Sequence, residues 1–321
     1  MSKVHVIHEN PEWLPPLATA LNDAGVPFVD WYLEGGSFDL SAPPPEGVFY
    51  NRMSASSHTR GHEFSPEYTA SVLAWLRLHG RRVINDGRAL ELELSKVKQY
   101  AALAACGVRV PRTVVAVGQG AVRKAAHEFG APLILKPNRG GKGAGVQLFQ
   151  SLEALDAYLD SDAYDIGRDG TVLIQEYIQS ADSSIIRNEF VNRQLVYAVR
   201  VDTSQGFELC PADVCAIDDL ACPVGESPAA KFQVLKDFTH PNHKKFTAFM
   251  AANGIEVAGI EMILDAEGVA WTYDVNTNTN YNSDAEIAAG IAGTPQSGMG
   301  ALARFLGSEL RAQAAVRSAA E

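Results

Sequence analysis

The sequence predicts an α/β protein built from two or three domains or subdomains. Its 321 residues, 46% of them apolar, are enough for each unit to bury a core. Over the first 94 residues, short apolar strands alternate with helical segments across short connections, as in an open α/β domain. Farther along, two pairs of strand-like runs separated by short polar turns predict β-hairpins.

Local signals place the elements of the first domain. Its apolar runs predict strands at 3–7, 26–31 and 47–51. A helix is predicted at 14–23, and a second one begins at Ser65, a capping residue, and ends at Gly80. A linking segment starts at Val83 and leads out of the domain.

The rest of the chain continues with a helix that Ser95 can cap and Gly107 ends. Four strand-like runs follow, at 112–117, 132–136, 146–150 and 172–178. The two hairpins are predicted at 185–201 and 257–275.

Charge and hydropathy narrow the expected partners. The net charge is −11 and no long Lys/Arg run is present, so we expect no nucleic-acid partner. No stretch approaches the roughly 20 apolar residues of a membrane-spanning helix, so we expect no membrane partner. The N-terminus lacks the basic and then apolar segments of a signal peptide, and a cytoplasmic protein is expected.

The cysteines leave one hypothesis open. They are Cys106, Cys210, Cys215 and Cys222. Disulfides are not expected in a cytoplasmic protein. The last three precede His240 and His243, so a metal- or thiol-dependent sensor is conceivable, although the C-x-x-C spacing of structural zinc sites is absent. Buried thiols in a loop would explain the same pattern.

A glycine-rich stretch between two predicted strands is the first candidate for phosphate binding. It contains Arg139, Gly140, Gly141, Lys142, Gly143 and Gly145. Glycines let backbone N–H groups approach a phosphate closely. The stretch fits neither a P-loop, because Gly143 follows Lys142, nor a dinucleotide motif, because a strand follows it. It predicts a flexible loop that closes over a triphosphate; an ordinary surface hairpin loop is the alternative.

Lys136 ends an otherwise apolar strand-like run. A lysine there is costly unless its charge is compensated, and a nucleotide phosphate would compensate it. The alternative is a side chain that reaches solvent at the strand end.

The second hairpin predicts a site for a divalent cation. Asp274 and Asn276 are two residues apart and share one face of a strand. With a turn at 266–267, Glu261 becomes a diagonal neighbour of Asp274, roughly 7–8 Å away at Cα. Such oxygen ligands, completed by phosphates, suit Mg²⁺, with Mn²⁺ as the alternative ion. The polar face of a solvent-exposed edge hairpin would show the same alternation.

The first hairpin brings two arginines together by the same reasoning. With a turn at 192–193, Arg187 and Arg200 lie diagonally on one face. Two guanidinium groups on one face repel unless they share an anion, and Arg suits bidentate contacts with phosphate or carboxylate. Ordinary ion pairs with Glu189 and Asp202 are the alternative.

The order and spacing of these parts resemble the ATP-grasp superfamily, and within it the branch of ribosomal-protein glutamate ligases and glutathione synthetases. The likeness covers most of the chain. It implies an N-terminal α/β domain over 1–94, a nucleotide-binding subdomain over 95–180, and a C-terminal subdomain over 181–321 with the magnesium and catalytic residues. ATP would be enclosed by the two subdomains, and homodimers are common in such folds.

The resemblance also implies residue roles. Lys96 and Lys136 look like the family's two nucleotide-binding lysines, and Arg187 falls where the family has an arginine. The adenine hinge and the magnesium segments correspond to Glu176, Tyr177 and Ile178, and to Glu261, Asp274 and Asn276. In the family a Pro-Gly commonly follows the asparagine segment, whereas the run 276–282 contains none. The resemblance therefore does not imply the usual acceptor-site geometry for this chain.

The implied activity is ATP-dependent carboxylate–amine ligation through an acyl phosphate, forming an amide or peptide-type bond on an amino acid or small peptide. Arg187 and Arg200 would stabilise the acyl phosphate and the tetrahedral intermediate. A kinase that phosphorylates a small molecule, and a nucleotide-binding protein without turnover, would carry the same ATP motifs and remain alternatives.

A polar loop at 51–62 follows a predicted strand end, where ligands bind in open α/β domains. We hypothesise that Arg52, His58 and Arg60 help to select an acidic substrate, together with Asn278. A plain connecting loop is the alternative.

Overall fold

The structure, a computed structural model, describes residues 2–141, 145–204 and 231–320, with side chains up to residue 316. Outside these ranges lie two of the predicted site residues of the glycine-rich loop and three cysteines, namely Lys142, Gly143, Cys210, Cys215 and Cys222. The sensor hypothesis, which depends on those cysteines, therefore stays a hypothesis. Within the described ranges, no helix combines the length and apolar character needed to cross a bilayer.

The first sheet is parallel and has the strand order β2-β1-β3-β4. Its strands are β1 (Lys3–His8), β2 (Phe28–Tyr32), β3 (Gly47–Asn51) and β4 (Arg82–Ile84). The helices of this region are α1 (Pro15–Asp23), α2 (Ser65–Leu78) and α3 (Gly87–Glu93). The predicted open α/β domain is confirmed. The predicted linking segment is wrong at its start, because Val83 and Ile84 belong to a strand too short to show alternation.

The second sheet is antiparallel and has the order β5-β8-β6-β7. It consists of β5 (Thr113–Val117), β6 (Leu133–Pro137), β7 (Gln147–Phe149) and β8 (Thr171–Glu176). The helices are α4 (Lys96–Ala105), α5 (Gln119–Phe129) and α6 (Leu152–Leu159). Ser95 caps α4 as predicted, since its hydroxyl accepts a hydrogen bond from the Lys98 N–H. The glycine-rich loop joins the antiparallel strands β6 and β7, also as predicted.

The third sheet is antiparallel and has the order β11-β10-β9-β12-β13. Its strands are β9 (Ser184–Val191), β10 (Gln194–Asp202), β11 (Phe232–Leu235), β12 (Val257–Leu264) and β13 (Ala270–Asn276). The remaining helices are α7 (Asn242–Ala252), α8 (Ser283–Ala288) and α9 (Gly298–Ala320). Each of the three predicted segments thus contains one sheet, while their boundaries stay a prediction. Both hairpins are confirmed.

A β-bulge changes the register of the first hairpin. The bulge lies between Leu195 and Tyr197, so Arg187 pairs with Val199, and Arg200 pairs with Ile186. Because side chains alternate between the two faces of a strand, this shift of one residue moves Arg200 to the other face of the sheet. The prediction that the two arginines share a face is wrong.

A second bulge tightens the acidic hairpin. It adds one residue to β13 between Thr272 and Asp274, so Glu261 pairs directly with Asp274 instead of lying diagonal to it. Asn276 follows on the same strand, opposite Gly259. The predicted shared face of the two carboxylates is therefore confirmed. The predicted register is wrong by two residues at Glu261, because the pairing is already shifted by one at the turn, where Leu264 pairs with Ala270, and the bulge adds the second residue.

A buried asparagine joins the first domain to the third sheet. The Asn85 amide is fully buried and donates to the carbonyls of Val257 and Thr277, at 2.8 and 2.9 Å. Its oxygen accepts from the N–H groups of Glu256 and Val257, at 2.9 and 3.1 Å. Helix α9 packs on α1 and β3 and closes the same junction. The segment after β4 is consequently held against the segment that follows β13.

We expect Asn85→Ala to lower the free energy of unfolding by at least about 3 kcal/mol, because four buried backbone groups lose their partner. Asn192→Ala is the matched control, since Asn192 has a similar φ (50° against 55°) but lies in an exposed turn. Urea unfolding measures both losses. Equal losses would show that the backbone conformation, and not the hydrogen bonding, is what Asn85 contributes.

Candidate active site

A central cavity of about 370 Å³ lies between the second and third sheets, beside loops of the first domain. Of the predicted residues, it is lined by Lys96, Lys136, Gly140, Gly141, Glu176, Tyr177, Ile178, Arg187, Glu261, Asp274, Asn276 and Asn278. Those that do not line it are Arg52, His58, Arg60, Arg139, Gly145 and Arg200. The topology therefore brings segments far apart in sequence to one enclosed space.

One part of the central cavity is an apolar slot. Ile134, Val146 and Ile263 line it together with the segment 176–178 that follows β8. Glu176 fixes this segment to the start of β5, because its N–H donates to the Arg112 carbonyl at 2.9 Å and its carboxylate accepts from the Arg112 N–H at 3.1 Å. Apolar side chains lining such a slot are suited to a flat heterocyclic group.

Lys136 is a buried cation. It is 5% exposed, and its Nζ donates to the Tyr100 hydroxyl at 2.5 Å and lies 5.2 Å from that ring's centroid. Burial lowers the pKa of Lys136 to about 7, and the charge of Lys96 acts in the same direction. Among the described residues no carboxylate forms an ion pair with it. The alternative in which the side chain reaches solvent is wrong.

Lys96 contacts the acidic hairpin directly. Its Nζ donates to Asp274 Oδ1 at 2.6 Å. Burial would lower the pKa of Lys96, but the charge of Asp274 raises it above its usual value. Burial would raise the pKa of Asp274, but Lys96 and then Lys136 lower it. The pair therefore stays charged inside the cavity.

Arg187, Glu261 and Asp274 form one row across β9, β12 and β13. The Arg187 guanidinium donates to Glu261 Oε1 at 2.6 Å. Burial raises the pKa of Glu261, Arg187 opposes this, and Asp274 reinforces it. The Asn276 Nδ2 lies 3.5 Å from the same Glu261 oxygen. Two carboxylates and an amide thus converge, which is a donor set suited to a hard cation.

Two further residues hold Arg187 and were not predicted as site residues. Its Nε donates to Glu189 at 2.6 Å, and its Nη2 donates to the Thr279 hydroxyl at 2.7 Å. Thr279 in turn donates to Glu189 at 2.8 Å. Glu189 was considered as an ion-pair partner of an arginine, and that part of the alternative interpretation is correct. Glu189 follows Arg187 by two residues in β9, so the two side chains share one face of the strand. This spacing was the only sequence signal that could have placed them together.

Gly259 leaves the space that this guanidinium occupies. A Cβ at this position would lie 2.4 Å from Arg187 Nη2 and 2.7 Å from its Cζ. Since no real pair of such atoms approaches so closely, any other residue at 259 displaces Arg187. The glycine therefore belongs to the site although it carries no functional group.

Arg200 lies apart from the row. It donates to Asp182 at 2.6 Å and to the Ser184 hydroxyl at 3.1 Å, on the face of the sheet opposite to Arg187. The predicted joint role of the two arginines is therefore wrong, and the bulge at 195–197 is the physical reason.

The glycine-rich loop reaches the first domain. Gly140 and Gly141 line the central cavity, and a Cβ on Gly141 would lie 3.2 Å from the Ser56 Cβ. Arg139 points elsewhere, because its Nη1 donates to Glu67 of α2 at 2.5 Å. Gly145 has a positive φ of 74° that favours glycine. Gly140 and Gly141 thus lie at the edge of the central cavity, next to the first domain.

The three predicted residues of the loop 51–62 have different surroundings. Arg60 pairs with the buried Glu9 and lies 4.8 Å from the Trp13 ring centroid. His58 faces an adjacent cavity that Arg139 also lines. Arg52 donates to Asn278 and to Asn280, whose amides line the central cavity. Sequence reasoning named Asn278 but missed Asn280, which differs from it in no sequence signal.

Solved structures match almost the whole chain. The RimK domain ATP-grasp protein of Sphaerobacter thermophilus matches with a TM-score of 0.65 and 17% identity, over 95% of this chain and 99% of that one. This chain has an ATP-grasp fold. The ATP-grasp ligase PsnB, solved with a phosphomimetic variant of a minimal precursor, Mg and ADP, matches with a TM-score of 0.60 and 17% identity over 95% and 98%. The resemblance inferred from the sequence is confirmed.

Similarity in sequence covers a smaller part of the chain than similarity in structure does. Residues 94–208 match the RimK-like ATP-grasp domain. A Vibrio vulnificus protein named "Probable alpha-L-glutamate ligase" is 24% identical over 140 residues, which are 43% of this chain and 46% of that protein. The chain thus spans about half the length of the curated relatives it matches.

We expect Gly259→Ala to lower the free energy of unfolding by about 1–3 kcal/mol, because the added methyl group forces Arg187 out of its contacts. Gly120→Ala in α5 is the control, since no atom lies within 4 Å of the Cβ it would add. We expect this control to be neutral or to stabilise by up to about 1 kcal/mol. Chemical unfolding of both variants measures the difference, and an unchanged stability of Gly259→Ala would contradict the close contact.

Proposed function

We propose that this protein is an ATP-dependent, ADP-forming ligase that activates a carboxylate as an acyl phosphate and joins it to an amine. The observation that carries the proposal is the row of Arg187, Glu261 and Asp274, with the buried Lys136 and the half-buried Lys96 in the same cavity. The ligase names of the relative and of PsnB support it.

In this proposal the nucleotide base occupies the apolar slot, beside the backbone of Glu176, Tyr177 and Ile178. The phosphates lie toward Lys96 and Lys136. Gly140 and Gly141 line the same cavity, and the glycine-rich loop, for which the sequence also predicts roles of Lys142, Gly143 and Gly145, would close over the phosphates. The unpaired, buried ammonium of Lys136 supports this placement, because a phosphate would compensate a charge that burial otherwise disfavours.

Glu261, Asp274 and Asn276 are the residues that would hold Mg²⁺, the ion present in the PsnB structure, with Mn²⁺ as the alternative. The two paired carboxylates fit a hard cation. Asn276, whose Nδ2 lies 3.5 Å from Glu261 Oε1 in the structure, would turn its amide oxygen toward the ion. Bound there, the ion would neutralise charge on the phosphates. Because Lys96 donates to Asp274 in the structure, we infer that Lys96 exchanges this contact for a phosphate when the nucleotide binds.

The reaction then needs two displacements. A substrate carboxylate oxygen attacks the γ-phosphorus, the bond to the β-phosphate oxygen breaks, and ADP leaves. An amine nitrogen next attacks the acyl carbon, and phosphate leaves together with the oxygen that came from the substrate carboxylate. The nitrogen then loses a proton, which gives the amide. Arg187 has five N–H donors, and three of them contact Glu189, Glu261 and Thr279. We infer that the other two face the developing negative charge.

The ionisation of Lys136 gives a test of the phosphate placement. With a pKa of about 7, this lysine is mostly neutral at pH 8 before binding and becomes charged beside a phosphate. We therefore expect binding of ADP without metal at pH 8, where the ADP phosphates are fully ionised, to take up about one proton. Titration calorimetry in buffers of different ionisation enthalpy measures the uptake. The same uptake in Lys136→Met as in the wild type would contradict the assignment.

The activity is tested by ADP release with ATP and Mg²⁺ against a panel of amino acids and dipeptides. We expect one acid–amine pair to stimulate release and to give a coupled product by mass. Asp274→Ala should slow this turnover by at least about 100-fold, the scale of losing a preorganised electrostatic group. Asp284→Ala, on the exposed start of α8, is the control with the same change of charge.

Two results would overturn the proposal. A phosphorylated product without a coupled amine would identify a small-molecule kinase. ATP binding without turnover for any pair would favour a nucleotide-binding protein.

A further inference from the structure

Arg52 is a buried guanidinium without a carboxylate partner in the described part of the chain. It is 3% exposed, and its three contacts are neutral oxygens: the Trp13 carbonyl at 3.1 Å, the Asn278 amide at 3.4 Å and the Asn280 amide at 2.6 Å. A buried charge is costly unless it is paired. The neighbouring Arg60, in contrast, has the carboxylate of Glu9. The surroundings of Arg52 are thus incomplete without an anion.

The contacts with Arg52 fix the orientation of two amides. A guanidinium only donates hydrogen bonds, so the amide atoms that face it have to be the oxygens of Asn278 and Asn280. The NH₂ group of each amide then faces away from Arg52. Both asparagines line the central cavity, and Asn278 follows the proposed metal ligand Asn276 by two residues. Two amide donors with a positive charge behind them are therefore presented to the cavity.

We propose that Asn278 and Asn280 form a subsite for the carboxylate group of the substrate, with Arg52 as the residue that positions them. The NH₂ groups donate to the carboxylate oxygens, and the charge of Arg52 acts through the amides that it orients. The ligand class is a small molecule or peptide with a free carboxylate. This inference rests on the proposed function and specifies how its acid substrate is recognised.

A carboxylate in the same cavity does not supply the missing charge. Glu93 also lines the central cavity, but its carboxylate accepts from the Thr277 N–H at 2.7 Å and from the Thr277 hydroxyl at 3.0 Å. It holds the backbone between Asn276 and Asn278 and is not paired with Arg52 in the described contacts. The compensating anion therefore has to come from a ligand.

Asn280→Asp and Asn278→Asp separate a binding role from a structural one. Each keeps the oxygen that accepts from Arg52 and replaces the NH₂ donor by a second oxygen. A purely structural contact would become an ion pair, so the variant would gain thermal stability and bind acids as the wild type does. A carboxylate subsite would instead lose its donor and gain a repelling charge. Asn192→Asp, in an exposed turn, is the control for the added charge.

The experiment measures binding in the presence of ADP and Mg²⁺, with L-glutamate and L-alanine as probes beside their α-carboxamides. We expect the wild type to bind an acid and to discriminate against its carboxamide. Asn280→Asp should weaken acid binding at least about 10-fold, as expected for a lost charge-assisted hydrogen bond, and should change ADP affinity less than about twofold.

Acid binding that is unchanged in Asn280→Asp, or a wild type that binds neither acid, would overturn the subsite. The two proposals fail separately. Turnover that is insensitive to Asn280→Asp would remove the subsite and keep the ligase, whereas acid binding that depends on Asn280 without turnover for any amine would keep the subsite and remove the ligase.

Discussion

The arrangement of the cavity depends on one buried guanidinium, that of Arg187. It joins β9 to β12 through Glu261, holds the segment after β13 through Thr279, and contacts Glu189 on its own strand. Removing one partner of a buried ion pair typically costs about 3–5 kcal/mol, so these side chains constrain one another. Gly259 is part of the same constraint, because only a residue without Cβ leaves room for the guanidinium.

This constraint also explains why the acidic hairpin can hold charge at all. Glu261 and Asp274 are opposite each other on neighbouring strands and would repel if they stood alone. Arg187 compensates one carboxylate and Lys96 compensates the other, from opposite ends of the row. A cation bound between the carboxylates would take over part of this compensation, which frees Lys96 to follow a phosphate. In the proposed function, metal and nucleotide binding would therefore be linked through Asp274.

Much of this could be predicted from the sequence, since the parts of the site that depend on alternation along a single strand follow from local pattern. Asp274 and Asn276 share a face because they are two residues apart, and the glycine-rich loop joins two antiparallel strands because of its flanking runs. The register between neighbouring strands was harder to predict. A bulge is one extra residue, which local pattern does not reveal. The bulge in β10 moved Arg200 to the other face, whereas the bulge in β13 offset a one-residue shift at the turn and so kept Glu261 and Asp274 on one face. The helices α3, α5, α6 and α7 were not predicted; α5, for example, buries only Val122 and Ala126.

The buried cations can be sorted by whether the protein itself supplies an anion. Lys96 and Arg187 have carboxylate partners, and their task is to hold the acidic hairpin. Lys136 and Arg52 have none among the described residues, although both are almost fully buried. Each of these two sites would gain stability from an anionic ligand. One lies beside the glycine-rich loop and the other behind the asparagines of the first-domain junction. The proposed ligase brings a phosphate to a carboxylate and so needs two anions held near one metal site, and under that proposal the unpaired charges would mark these two positions.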